Sequence, residues 1–261
     1  MYGFWYSVKE NYSFTGKELR ELFWTGLAFA FILTAYYAGF LYKQIILEDT
    51  LGLFIALLIC TIVALYLHVA LQKIVGIRLG YNVTYTYWLN GILICLFLSF
   101  LTFGMIPLVS MLILPGAVTL EHLPKLRLGK FRYGTNAKDI ARVGLAGPLA
   151  HILIVMVLGV FYLATRSDNS GILFKIITMN LLLLIYSMLP LPKIDSPAKM
   201  DSASDGLGIF FFSRSIYVLC FATVVFYALL IWIANIFSFI TAFLLGIIMT
   251  IVYIVTVDQK N

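Results

Sequence analysis

Apolar residues run along this chain in long unbroken blocks, not in the short alternations or narrow stripes of a soluble domain. A helix that crosses a bilayer needs roughly 20 mostly apolar residues, because the hydrocarbon layer is ~30 Å thick and each residue rises ~1.5 Å. Six stretches meet that length: Leu22 to Tyr42, Leu51 to Gln72, Val143 to Thr165, Gly171 to Pro192, and two within the uncharged run from Ser215 to Val257, divided near Ala234 and Asn235. The expected fold class is all-α integral membrane, with six transmembrane helices. Thr15 and Glu18 have capping-box spacing before the first apolar run, so a helix is expected to start near there. A seventh apolar stretch, Trp88 to Pro115, is broken by Gly91, Gly104 and Pro107, and length alone does not say whether it crosses once, twice or not at all.

Charge arbitrates. Lys and Arg collect in cytoplasmic loops, and the seventh stretch is succeeded by Lys125, Arg127, Lys130, Arg132, Lys138 and Arg142. If residues 88–115 make no net crossing, that segment, the N-terminus (Lys9, Lys17, Arg20), the 73–87 loop (Lys73, Arg78) and the 193–214 loop (Lys193, Lys199, Arg214) all fall on one side. The stretch is therefore expected to be a re-entrant hairpin or a pair of short helices, covered by protein or lining a wet cavity. The resulting plan is a cytoplasmic segment 1–21 and a single membrane domain 22–257, holding the re-entrant region 88–115 and the cytoplasmic loops 116–142 and 193–214. Both termini are expected in the cytoplasm. The alternation in Leu126 to Tyr133 suggests a short interfacial hairpin.

Composition sharpens this picture. Of 261 residues, 62% are apolar or aromatic and 11% are charged, against ~25% charged in soluble domains. The net charge of +6 implies attraction to anionic lipid at the cytoplasmic face and no nucleic-acid partner. Cys60, Cys95 and Cys220 lie within apolar runs and read as small buried side chains. The first 21 residues mix acidic and basic groups, unlike a cleaved signal peptide, so the N-terminus is expected to be retained. Paired intramembrane charges or symmetric broken helices, which a transporter would want, are not evident.

Ionisable groups in or beside apolar spans are the candidates for function, because hydrocarbon penalises them. They are His68 near the end of the second span, His151 inside the span that begins at Val143, and Asp195 and Asp205 after the break at Pro190 and Pro192. Lys175 is expected to snorkel and His122 to be solvated in the basic loop. Gly144, Gly147 and Pro148 permit close approach of spans.

Four blocks in order resemble the site-2 protease family over roughly residues 50 to 215. His68-Val-Ala-Leu-Gln72, with a basic stretch after it ending in Leu79-Gly80, resembles the family's HExxH segment. Leu145-Ala-Gly-Pro-Leu-Ala-His151 resembles its Ala-Gly-Pro-Leu span, and Ser187-Met-Leu-Pro190-Leu-Pro192-Lys-Ile-Asp195 its Asn-x-x-Pro-x-Pro-x-Leu-Asp-Gly motif. Asp205-Gly206 through Arg214 resembles the family's stretch that begins at the motif's Asp, and Leu114 to Ala117 falls where the family has a membrane-dipping segment.

The resemblance implies the site-2 protease fold and a zinc metalloprotease of regulated intramembrane proteolysis, cutting transmembrane helices near the cytoplasmic face. Two His at i and i+4 and a later Asp would hold the metal, and the Glu beside the first His would be the general base. Gly147, Pro148, Ser187 and Pro190 fall in the implied substrate groove. This chain departs at the decisive positions, since Val69 replaces the Glu and Gln72 the second His. A lost general base costs typically ~100 to 10,000-fold, and an amide is a poor zinc ligand beside imidazole. No intact catalytic set remains, and no cofactor is expected. The expected function is that of an inactive pseudoprotease that binds client transmembrane helices or membrane proteins. The alternative is an active zinc protease with a rewired site from His68, His151 and either Asp205 or Asp195. Counting from Pro190 selects Asp195; counting back from Gly206 to Arg214 selects Asp205. His151 would otherwise bond a backbone carbonyl or a polar neighbour such as Asn180, and His68 would be an interfacial helix-end imidazole.

Overall fold

In a computed structural model the structure describes residues 2–39, 47–110, 116–123, 135–165, 171–191, 204–234 and 237–257. The order is α1 (Tyr2–Asn11), α2 (Gly16–Ala38), α3 (Leu47–Leu79), β1 (Tyr81–Tyr87), α4 (Leu89–Leu101), α5 (Pro107–Ser110), β2 (Gly116–His122), α6 (Ala137–Thr165), α7 (Ile172–Met188), α8 (Asp205–Phe212), α9 (Arg214–Ala234) and α10 (Ser238–Thr256). Among the described residues, α2, α3, α6, α9 and α10 are long and apolar enough to cross a bilayer. The chain is a polytopic, mainly helical membrane protein.

The sixth expected span, Gly171 to Pro192, is the 17-residue α7, about 26 Å long. It is short of the hydrocarbon thickness because it is cased in protein. Met179, Leu183 and Tyr186 join a core with α2, α3 and the strands, while Ile177, Leu181 and Leu184 join a second core with α6, α8 and α9. By contrast α10 turns Ile240, Leu244, Ile248 and Ile251 outward, as expected of a helix whose solvent is lipid.

Residues 81–87 and 116–122 form an antiparallel pair with Tyr87 opposite Gly116, a small sheet in a fold expected to be all-α. The alternation in Tyr-Asn-Val-Thr-Tyr-Thr-Tyr matches a burial pattern of period two, the signature of a half-buried strand. The 73–87 segment is therefore no solvated loop. Helix α3 runs through Lys73 to Leu79, and Lys73 is buried. Likewise the 116–142 loop contains β2 and the start of α6, and the 193–214 loop contains α8. His122 ends β2, half-buried with its ring 4.7 Å from that of Tyr81. Leu126 to Tyr133 and Asp195 lie outside the described residues.

The strand register explains the seventh apolar stretch. Because Tyr87 and Gly116 are partners, residues 88–115 leave and return to the same end of the bundle. The Tyr87 N–H donates to Glu21 near the start of α2, and Gly104 sits against the backbone of Ala35. The outward limb thus tracks 14 residues of α2, about 21 Å, less than the ~30 Å of hydrocarbon. The limb ends in a turn with Phe103 at φ 50° and Gly104 at φ 72°. A Cβ on Gly104 would lie 2.7 Å from the Ala35 carbonyl carbon, so both the left-handed backbone and the close approach require glycine.

The capping box is present. The Glu18 N–H donates to Thr15 Oγ1 at 3.2 Å and the Thr15 N–H to Glu18 Oε2 at 2.8 Å. Thr15→Ala is expected to lower stability by about 1 kcal/mol, the usual worth of an N-cap side chain, measured by thermal unfolding in detergent micelles.

Candidate functional site

The residues picked from the sequence converge at the end of the bundle that carries the strands. His68 and Gln72 are four residues apart on α3 and so share a face. Asp205, the first residue of α8, meets both. His68 Nε2 stands 3.0 Å from Asp205 Oδ2, and the Gln72 amide Nε2 donates to Asp205 Oδ1 at 2.7 Å. Of the two registers for the acidic residue, Asp205 stands at this cluster, and Asp195 lies outside the described residues.

Local chemistry puts Asp205 there. Ser204 caps α8, its Oγ accepting from the Leu207 N–H at 3.2 Å. The same oxygen donates to the Leu189 carbonyl and accepts from the Leu191 N–H, which ties the start of α8 to the end of α7, beside Pro190. Three glycines let the backbones close in. A Cβ on Gly206 would collide with the Met188 carbonyl, one on Gly144 would press the Asp205 carbonyl at 3.1 Å, and one on Gly147 would overlap the His68 ring and lie 2.8 Å from Gln72 Nε2. Pro148 lies inside α6; lacking an N–H, it leaves the Gly144 carbonyl without its intrahelical donor.

His151 faces the same cavity from α6. Its ring centroid is 5.2 Å from that of His68, and its Nδ1 is 3.3 Å from Asn180 Oδ1. Asn180 in turn donates to the Ile176 carbonyl. His151 and Asn180 are each 1% exposed, so the imidazole is held by an amide at the centre of the bundle. Ser187 lines the cavity but donates to the Leu184 carbonyl.

Sequence reasoning missed several residues here. The cavity, about 60 Å³, is also lined by Thr25, Tyr85, Tyr186 and the first residues of β2. Burial lifts the Tyr85 phenol above its ordinary range; it stays protonated and donates to Thr25 Oγ1 at 2.9 Å. Tyr186 OH, His68 Nδ1 and Gln72 Oε1 are buried and meet no hydrogen-bonding partner among the described residues. Three such atoms border a mainly apolar space larger than the ~10–15 Å³ one water needs, so there is room for a water to bridge them. Only the period-two pattern of 81–87 signalled any of these residues.

A buried ion pair braces the site. Lys73 Nζ is 2.8 Å from Glu18 Oε1, both side chains 5% exposed, and also donates to the Ser13 carbonyl. Glu18 accepts the Tyr85 N–H as Glu21 accepts that of Tyr87. Two carboxylates of α2 thus seal one edge of β1, and β2 pairs with the other. The outer edge of β2 carries no further strand among the described residues.

Both Asp205 oxygens are engaged by protein groups, and Gln72 turns its NH2, a donor without a free lone pair, to the carboxylate. Among the described residues, no three His, Cys, Asp or Glu side chains form a metal-binding group. What the cluster can do is hold a carboxylate, an imidazole and an amide in fixed register around a space with room for water. No protein-family model matches this chain, and neither a curated protein nor a solved structure matches it.

Proposed function

We propose that this chain is a non-catalytic member of the site-2 protease type that holds client transmembrane segments beside the His68–Asp205 cluster without cutting them. The observation that carries the reading is the Gln72 amide at 2.7 Å from Asp205. An amide donor stands where the resemblance calls for an imidazole ligand, and the neighbouring general-base position is Val69, 1% exposed. Val69 accepts no proton, so water in the cavity goes unactivated. The scaffold that would receive a client persists around that inert centre. Gly147 keeps α3 and α6 in contact, and β2 offers an edge that carries no further strand among the described residues, along the cavity, for a client segment that unwinds. The basic segments argue for this end of the bundle lying at the cytoplasmic face, where anionic lipid adds to its attachment.

The test uses the full-length protein in proteoliposomes with a panel of single-span peptides. A photo-crosslinker at Thr119 on β2 is expected to capture some of these peptides, in competition with unlabelled peptide, and none is expected to be cleaved. Metal analysis is expected to find zinc far below one per chain. Cleavage abolished by His68→Ala, or about one zinc per chain, the stoichiometry of a mononuclear site, lost in His151→Ala, would establish the rewired protease instead. Absence of any competed crosslink across the panel would end the client-binding reading.

A further inference from the structure

A second cavity, of about 310 Å³, lies at the other end of the bundle between α6, α7, α9 and α10. Its floor is buried: Val155, Ile177, Tyr227 and Ile231 are at most 6% exposed. Its rim is not, for Leu153, Val157 and Val160 on α6 are each more than half exposed. The cavity therefore opens sideways, onto the surfaces of candidate spans, where the adjoining medium is hydrocarbon. It runs along α6 from Leu153 to Tyr162, nine residues or about 14 Å.

The two ends of this slot differ. One end is set at helix termini, with Tyr162 near the end of α6, Trp232 near the end of α9 and Ser238 at the start of α10. Tyr162 and Trp232 meet edge to face at 6.0 Å, and Phe174 lies 4.4 Å from Trp232. Tyr and Trp at span ends mark the headgroup level of a bilayer. From there the slot leads inward over mainly apolar side chains, with Tyr227 in its floor.

We propose that this slot binds one acyl chain of a bilayer phospholipid, entering at the Tyr162–Trp232 end and lying along α6. Length argues against a client helix, which runs the ~30 Å of the hydrocarbon layer, whereas the slot runs about 14 Å. An acyl chain is slender enough, apolar throughout, and already anchored at the level where the aromatic rim sits. Gly159 lies in the lining, and a Cβ there would meet nothing within 4 Å; the missing side chain is what leaves the slot open. The inference is independent of the client-binding reading, which concerns the opposite end of the bundle.

The protein is purified in detergent, exchanged exhaustively, and its retained lipid identified by mass spectrometry, for the wild type and for Gly159→Phe, whose ring fills the slot. In parallel, with Trp5, Trp24 and Trp88 changed to Phe so that Trp232 alone emits, both proteins are reconstituted with phospholipid brominated in mid-chain. The expected result is a phospholipid retained by the wild type and lost from Gly159→Phe, with weaker bromine quenching of Trp232 in that variant. Val157→Phe, projecting from the rim, is the second blocking variant should the first fail to fold. Equal retention and equal quenching in the blocked and open proteins would overturn the proposal. So would a retained isoprenoid, sterol or free fatty acid in place of phospholipid.

Discussion

Lys73→Met is expected to destabilise the protein by about 3–5 kcal/mol, the cost of stripping one partner from a buried ion pair. Glu18, 4% exposed, would be left as an uncompensated charge between α2, α3 and β1. The loss should not stay local, because the same carboxylate caps α2 and accepts the Tyr85 N–H. Freed from Glu18, β1 would loosen, and with it the sheet wall of the cavity. The double variant Lys73→Met with Glu18→Gln is expected to recover part of the loss. The Thr15 and Tyr85 N–H groups use different oxygens of Glu18, so a glutamine carbonyl keeps one of them and its NH2 faces the other, while no charge remains to be buried. Thermal unfolding in detergent, with hydrogen exchange at residues 81–87, measures both effects. A double variant no more stable than Lys73→Met would show that the bonds, not the charge, set the cost.

Gly147→Ala should act on the cluster directly. A Cβ there overlaps the imidazole of His68 and crowds the Gln72 amide, so one of the two must leave Asp205 or α6 must retreat from α3. Overpacking of this kind costs typically ~1–3 kcal/mol. It should also remove the crosslinks formed from Thr119, since the wall of the cavity moves. Gly159→Ala, twelve residues on in the same helix, is the control. Its Cβ meets nothing, and the usual preference for Ala over Gly in a helix interior, ~0.5–1 kcal/mol, should make that variant neutral or slightly more stable. The melting temperature is expected to fall for Gly147→Ala and to stay level or rise slightly for Gly159→Ala.

Much of the architecture was legible because the bilayer imposes a length rule on a one-dimensional string. The uncharged run 215–257 had to divide, and α9 and α10 part beside Ala234. The capping box, the dipping segment and the i, i+4 placement of His68 and Gln72 came equally from local spacing. The sixth span was misjudged in length, since hydropathy does not distinguish a helix covered by protein from one covered by lipid. The sheet was missed because its strands lie 28 residues apart, so pairing Tyr87 with Gly116 is a long-range event.

Residue type and spacing alone establish that this is a multi-pass membrane protein and that the residue after His68 is Val69, which accepts no proton. Those properties need no partner from elsewhere in the chain. Folding in three dimensions was required to bring Asp205 to His68 and Gln72, to set His151 on Asn180, and to bury Lys73 against Glu18. Each of those contacts joins separate helices, and the approach of α6 to α3 and α8 rests on Gly147 and Gly144, whose role emerges only once the elements touch.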